Sequence, residues 1–225
     1  MRIATLLCVG LVIGFTFQAS GETVYDYAHP FASGSDVQPS PEGTPPWLSA
    51  TFTDIDASTI RLRLSVDDLP EPQFVVGFYF NFNPTLDPSL LNFDYVSGVQ
   101  TATEPEVGTD AFKASGDGLY DIYISFPTAN NGLRFTDGEY SEYDICYNGT
   151  LPTGTSLVDQ FHVLATPDGG YGPYYTAGRV QGLPNEQSTW LYGTQQEPGE
   201  NVVPEPSSVV MLLVLAGLSL LVRRR

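Results

Sequence analysis

Apolar residues recur at every second position in three stretches, and this period constrains the fold more than any other feature of the chain. Ile60, Leu62, Leu64 and Val66 alternate with Arg61, Arg63 and Ser65. Phe74, Val76, Phe78, Phe80 and Phe82 alternate with Val75, Gly77, Tyr79 and Asn81, and the run stops at Asn83-Pro84. Tyr120, Ile122, Ile124 and Phe126 alternate with Asp121, Tyr123 and Ser125, between Gly116-Asp117-Gly118 and Pro127. Successive side chains of a strand point to opposite faces, so each stretch reads as a strand with one apolar face. Further strands are expected at 50–55, 91–95, 142–147, 156–164, 174–181 and 190–193. Many short strands separated by Gly, Pro, Asn and Asp turns predict an all-β fold, an antiparallel β-sandwich of jelly-roll-like topology.

The two ends of the chain read differently. Met1-Arg2, an apolar run from Ile3 to Phe17, and Gln18-Ala19-Ser20-Gly21 have the layout of a signal peptide cut by signal peptidase, expected over 1–21. Residues 22–46 are rich in Pro, Ser, Gly and Asp and are expected to be a flexible lead-in. The β-sandwich domain is then expected over 47–194, and the Glu197-Pro198-Gly199-Glu200 stretch places a linker at 195–202. With the apolar ends removed, roughly 180 residues remain, the size of one ordinary domain. Residues 207–222 carry no charge and are followed by Arg223, Arg224 and Arg225. As a helix they would extend about 24 Å, short for a hydrocarbon layer of about 30 Å but workable with local thinning. The positive-inside rule keeps the arginines cytoplasmic and the body outside, so this single transmembrane helix is expected to tether the chain to the membrane.

Immediately before that segment stand Val203, Pro204, Glu205 and Pro206. A Pro-Glu-Pro motif, a short apolar helix and a terminal arginine cluster together resemble the PEP-CTERM sorting signal. The resemblance implies an exosortase as processing partner, a membrane-embedded transpeptidase-like enzyme of certain Gram-negative bacteria that cuts near Pro-Glu-Pro. It also implies a route from an inner-membrane-tethered precursor to the cell surface or extracellular matrix. The two prolines keep the segment extended and outside the helix, which presents a scissile backbone at the membrane surface. Phe78-Tyr79-Phe80-Asn81, Thr166-Pro167-Asp168-Gly169-Gly170 and Val180-Gln181-Gly182-Leu183 resemble phrases in the exported bodies that carry such tails. That likeness implies no catalytic residues.

Charge narrows the partners. The chain has 9 Lys and Arg against 26 Asp and Glu, a formal net charge of -17, and Arg61, Arg63, Lys113, Arg134 and Arg179 are the only cations of the body. Such a surface repels nucleic acid, whose binding depends on cations displacing counterions. Cys8 falls in the leader, so Cys146 is left alone and the body has no internal disulfide.

The residues offer little for catalysis. His29 and His162 are the only histidines, no Gly-x-Ser-x-Gly elbow is present, and zinc lacks a His/Cys ligand set. Glu142-Tyr143-Asp144 resembles the start of the Glu-x-Asp-x-x-Glu strand of laminarinase-like glycosidases, with Glu142 as the candidate nucleophile. Tyr147 stands where the acid belongs, and without a proton donor the leaving sugar oxygen is not protonated. No cofactor is expected unless calcium, for which Asp137, Glu139, Glu142 and Asp144 offer oxygen ligands close in sequence. Tyr171, Tyr174, Tyr175, Trp190 and Tyr192 are candidates to stack on sugar rings of an extracellular polysaccharide. The expected function is therefore an exported structural or adhesive protein of the cell surface or matrix, not an enzyme. The alternative is a carbohydrate-binding module for exopolysaccharide, and behind it a glycoside hydrolase.

Overall fold

The computed structural model describes residues 21–56 and 58–196, and these form one antiparallel all-β body. Its strands in chain order are β1 (Glu22–Pro30), the short pair β2 (Ala32–Ser33) and β3 (Asp36–Val37), β4 (Leu48–Asp54), β5 (Thr59–Val66) and β6 (Phe74–Phe80). They continue with β7 (Leu91–Gly98), β8 (Glu106–Ala114), β9 (Gly118–Ser125), β10 (Tyr140–Tyr147), β11 (Thr166–Pro167), β12 (Thr176–Leu183) and β13 (Gln187–Gln195). Eleven of them make one sheet in the order β11-β9-β6-β12-β13-β1-β4-β5-β10-β7, with β8 joined to β9, while β2 and β3 pair only with each other.

The sheet curls until its two halves face one another. Four steps of about 4.8 Å would put β4 and β6 about 19 Å apart in a flat sheet. Instead the Phe52 ring of β4 meets the Phe80 ring of β6 edge to face, with centroids 5.3 Å apart. The same interior gathers Leu62 and Leu64 from β5, Ile122 and Ile124 from β9, and Tyr143 and Ile145 from β10. Period two thus delivers most of the core, although Tyr120, in phase with Ile122 and Ile124 in the sequence, lies outside this interior. Among the described residues no helix is long and apolar enough to cross a membrane, and the span expected at 207–222 lies outside them.

Three expectations need correction. Residues 22–46 are not merely a lead-in, because β1 lies inside the sheet between β13 and β4, and Tyr25 and Tyr27 are fully buried. Among the described residues strand pairing therefore starts already at Glu22, and β13 carries it through Gln195, one residue into the expected linker. Residues 156–164 do not form a strand. Val158–Phe161 is a short 3-10 turn that buries Val158 and Phe161 together with Leu157, a spacing that suits a turn of helix rather than alternation. In β6 the alternation changes phase: the register against β12 slips between the Gly77 and Val75 pairings, and Val75 rather than Val76 joins the main core. A bulge of this kind puts one extra residue into the strand and turns the next side chain over.

Candidate binding face

The outward positions of β6, β9, β12 and β13 are not solvated polar residues. They carry a second apolar cluster, centred on Phe31, Tyr79, Tyr120, Ala177 and Trp190. Strand register creates it. Tyr79 pairs with both Tyr123 and Ala177, Ala177 pairs with Tyr192, and Trp190 pairs with Arg179. The rings of Tyr79 and Tyr123 stack at 4.6 Å, and Tyr79 leans on Trp190 at 5.2 Å. Beyond β1, Phe31 is fully buried against Tyr174 at 4.8 Å and Trp190 at 6.0 Å.

A strap formed by residues 168–174 closes over one end of this cluster. The Tyr171 hydroxyl donates to Asp36 Oδ2 at 2.7 Å, and the Tyr174 hydroxyl bonds to the Ala32 backbone, so the strap is tied to the β2–β3 hairpin. Tyr174 lies flat on Tyr192, 4.1 Å between centroids, and His29 covers part of the same Tyr192 ring at 5.4 Å. Beneath the strap Asp117 is fully buried and accepts from the Tyr120 hydroxyl. Its other oxygen faces Gly172, a position with φ of 61° where a Cβ would strike that oxygen, so glycine is required there. Burial pushes the Asp117 carboxyl up to about 6, against the opposing hydrogen bonds from Tyr120 and the Tyr174 amide. Burial first, and then the Asp117 charge, also raise the Tyr120 phenol.

Four of the five expected sugar-stacking residues, Tyr171, Tyr174, Trp190 and Tyr192, therefore meet on one face, but they pack mainly on each other. Trp190 is only 7% exposed, so its ring is structural rather than a free platform. Tyr175 belongs elsewhere. It stacks on His162 at 4.1 Å, and His162 Nδ1 is 2.9 Å from the buried Tyr25 hydroxyl. Sequence reasoning missed Phe31, Tyr79 and Tyr123. The last two were readable as tyrosines at the outward positions of strongly alternating strands, while Phe31 sat in the segment taken for a lead-in.

No family model matches this chain. No curated protein and no solved structure matches it either. The chemistry of its faces must be read from the residues themselves.

Of the candidate catalytic and cation-binding residues, Glu142 and Asp144 lie on the opposite outer face, on β10 between β5 and β7, while Asp137 and Glu139 lie in the turn that precedes β10. Arg61 grips Asp144 through Nε at 2.8 Å and Nη2 at 3.0 Å, and Arg63 Nη1 donates to Glu142 at 2.7 Å. Ser97 donates to the other oxygen of Glu142 at 2.8 Å. Burial works to raise the Glu142 carboxyl, but Arg63, Ser97 and the nearby Arg61 outweigh it and hold the group below the ordinary carboxylate range. Asp137 accepts from the Leu69 amide, and Glu139 accepts from the Thr136 amide and hydroxyl. The four carboxylates offered as calcium ligands each accept from a different set of protein partners, and among the described residues no group of three or more His, Cys, Asp or Glu side chains stands together in an arrangement that could hold a metal ion. The motif residues Val203, Pro204, Glu205, Pro206, Arg223, Arg224 and Arg225 lie outside the described residues.

Proposed function

We propose that this chain is an exported, non-catalytic protein of the cell surface or extracellular matrix that works by contact, through a jelly-roll-like β-sandwich, and that an exosortase sorts it through its PEP-CTERM-like tail. The sorting part rests on the Val203-Pro204-Glu205-Pro206 motif, the apolar segment after it and the three arginines. The sandwich part is supported by ring contacts between strands four places apart in the sheet. The contact part is carried by one observation: a sheet face that a soluble domain would ordinarily leave polar is instead built of aromatic rings, with Tyr123 and Tyr192 only partly buried at its margin.

Carbohydrate binding is a second reading, favoured by those partly exposed rings. Hydrolysis is third, because Glu142 is engaged by Arg63 and Ser97 and the position of the acid is Tyr147. Intact-mass analysis of the mature surface form, in a host that carries an exosortase, tests the sorting reading. The first ~21 residues and the segment after Pro-Glu-Pro should be gone, as that processing requires. A mature form that still contains Leu212 to Leu220 would reduce the tail to a plain anchor.

A further inference from the structure

The body has few cations, and the way they are used singles out a second feature of the aromatic face. Among the described residues Arg61, Arg63 and Lys113 each hold a carboxylate, whereas Arg134 and Arg179 are in no ion pair despite the excess of acid around them. Each instead lies over an aromatic ring. The Arg134 guanidinium is 3.8 Å from the centre of Phe74, and that of Arg179 is 5.4 Å from the centre of Trp190. Nε of Arg134 is committed to the Thr128 carbonyl at 2.9 Å, and Nε of Arg179 is buried with no hydrogen-bond partner among the described residues.

Register places Arg179 on the same outer face as Phe74, the ring that Arg134 covers. Phe74 pairs with Gln181, Gln181 with Ser188, and Arg179 with Gly77 and Trp190. Val180 between Arg179 and Gln181 is fully buried in the core, so those two side chains share the outer face. They are two strand residues apart, about 7 Å along β12. An open groove of about 370 Å³ lies at the Arg134 end, bordered by Phe74, Arg134, Gln181, Glu186 and Ser188. Asn185 and Glu186 hold positive φ of 62° and 60° in the turn that brings Glu186 to the rim, a strained conformation for Glu.

We infer that this groove binds a sugar ring bearing a carboxylate, a uronic acid unit of an extracellular polysaccharide. A guanidinium seated over a ring with Nε engaged elsewhere leaves its terminal N–H fork for a carboxylate. Gln181, Ser188 and Glu186 supply donors and acceptors for hydroxyl groups. Glu186 at the rim also selects against a bare, densely charged anion such as phosphate, and the net charge of the chain excludes a polyanion held by charge alone. The ligand carries its carboxylates sparsely on a hydroxylated framework. This inference rests on the contact reading above and gives it a substrate class.

The test is equilibrium binding of labelled D-glucuronate to the full chain in detergent, with D-glucose and acetate as matched probes. Saturable binding of glucuronate, at least about tenfold tighter than of either control, is expected, since two interactions are lost in each comparison. Arg134→Gln should weaken it about tenfold or more, while Arg134→Lys, which keeps charge and stem but not the planar fork, should restore only part of the loss. Equal binding of glucuronate and glucose, or glucuronate binding unchanged in Arg134→Gln and Arg134→Lys, overturns the groove. Retention of the chain on host polysaccharide is measured separately. Retention alongside a failed glucuronate titration leaves the contact role standing and removes only this site.

Discussion

The two outer faces of the curled sheet share one inner core but are finished in opposite ways. Over β5, β10 and β7 the outward residues include Arg61 joined to Asp144, and Arg63 and Ser97 both joined to Glu142, near solvent. Over β6, β9, β12 and β13 they are Tyr79, Tyr123, Trp190 and Tyr192, packed under Phe31 and the strap that carries Tyr171 and Tyr174. The first face follows the rule that an antiparallel sheet in water alternates apolar-in and polar-out. The second breaks it, and the segment before β4 becomes indispensable because Phe31 and β1 complete what the strands leave open. A charged face can lose a member with little effect. A ring cluster closed by a distant segment cannot.

The comparison can be broken hardest at β1. Deleting residues 22–31 from the full chain should abolish the cooperative unfolding transition seen by circular dichroism, because it removes a strand paired on both sides and the buried Tyr25, Tyr27 and Phe31. A deletion variant with an unchanged melting curve would restore the lead-in. Phe31→Ala is the next largest perturbation. It empties a fully enclosed ring site and should cost about 3–5 kcal/mol in urea unfolding.

Asp117 sharpens the same half of the comparison through pH. Its carboxyl is raised from the ordinary 3.8 to about 6 by burial, so the folded state holds the proton more tightly than the unfolded chain does. Its contribution to stability is therefore complete below about pH 4 and is lost as pH rises through about 6. Asp117→Asn should gain stability relative to the parent over that window, by at most ~3 kcal/mol for a shift of about two units. Unfolding midpoints at pH 4 and pH 7 check the sign, and a variant that loses stability relative to the parent as pH rises would contradict it. On the charged face Arg63→Ala should cost under about 1 kcal/mol, since Arg63 is 44% exposed, and the loss should shrink further in high salt.

Much of the body was legible because period two states both the element and its buried face. β5, β9 and most of β6 were readable in this way, with Ile60, Leu62, Leu64, Ile122, Ile124, Phe78 and Phe80 all entering the core. Two kinds of signal were hidden. The alternation of Tyr25 and Tyr27 is brief and is followed by a Pro- and Gly-rich stretch, so composition masked a strand whose partners lie far along the chain at β13 and beyond a loop at β4. β8 has few apolar residues and an interrupted register against β9, leaving no periodic run to detect. The aromatic face was half legible. Tyr171, Tyr174, Trp190 and Tyr192 could be grouped by type, but whether those rings face solvent or one another is fixed by Phe31 and the strap, which only long-range pairing brings into place.

Hydroxyl-radical footprinting of the full chain, with and without the host's polysaccharide, tests most directly whether the aromatic half is the contact surface. Tyr123 and Tyr192 report on that half, while Tyr140, which lies under Arg63, reports on the charged one. Oxidation should fall at Tyr123 and Tyr192 when polysaccharide is present and stay constant at Tyr140. Protection confined to Tyr140 would place the contact on the charged face and contradict the account.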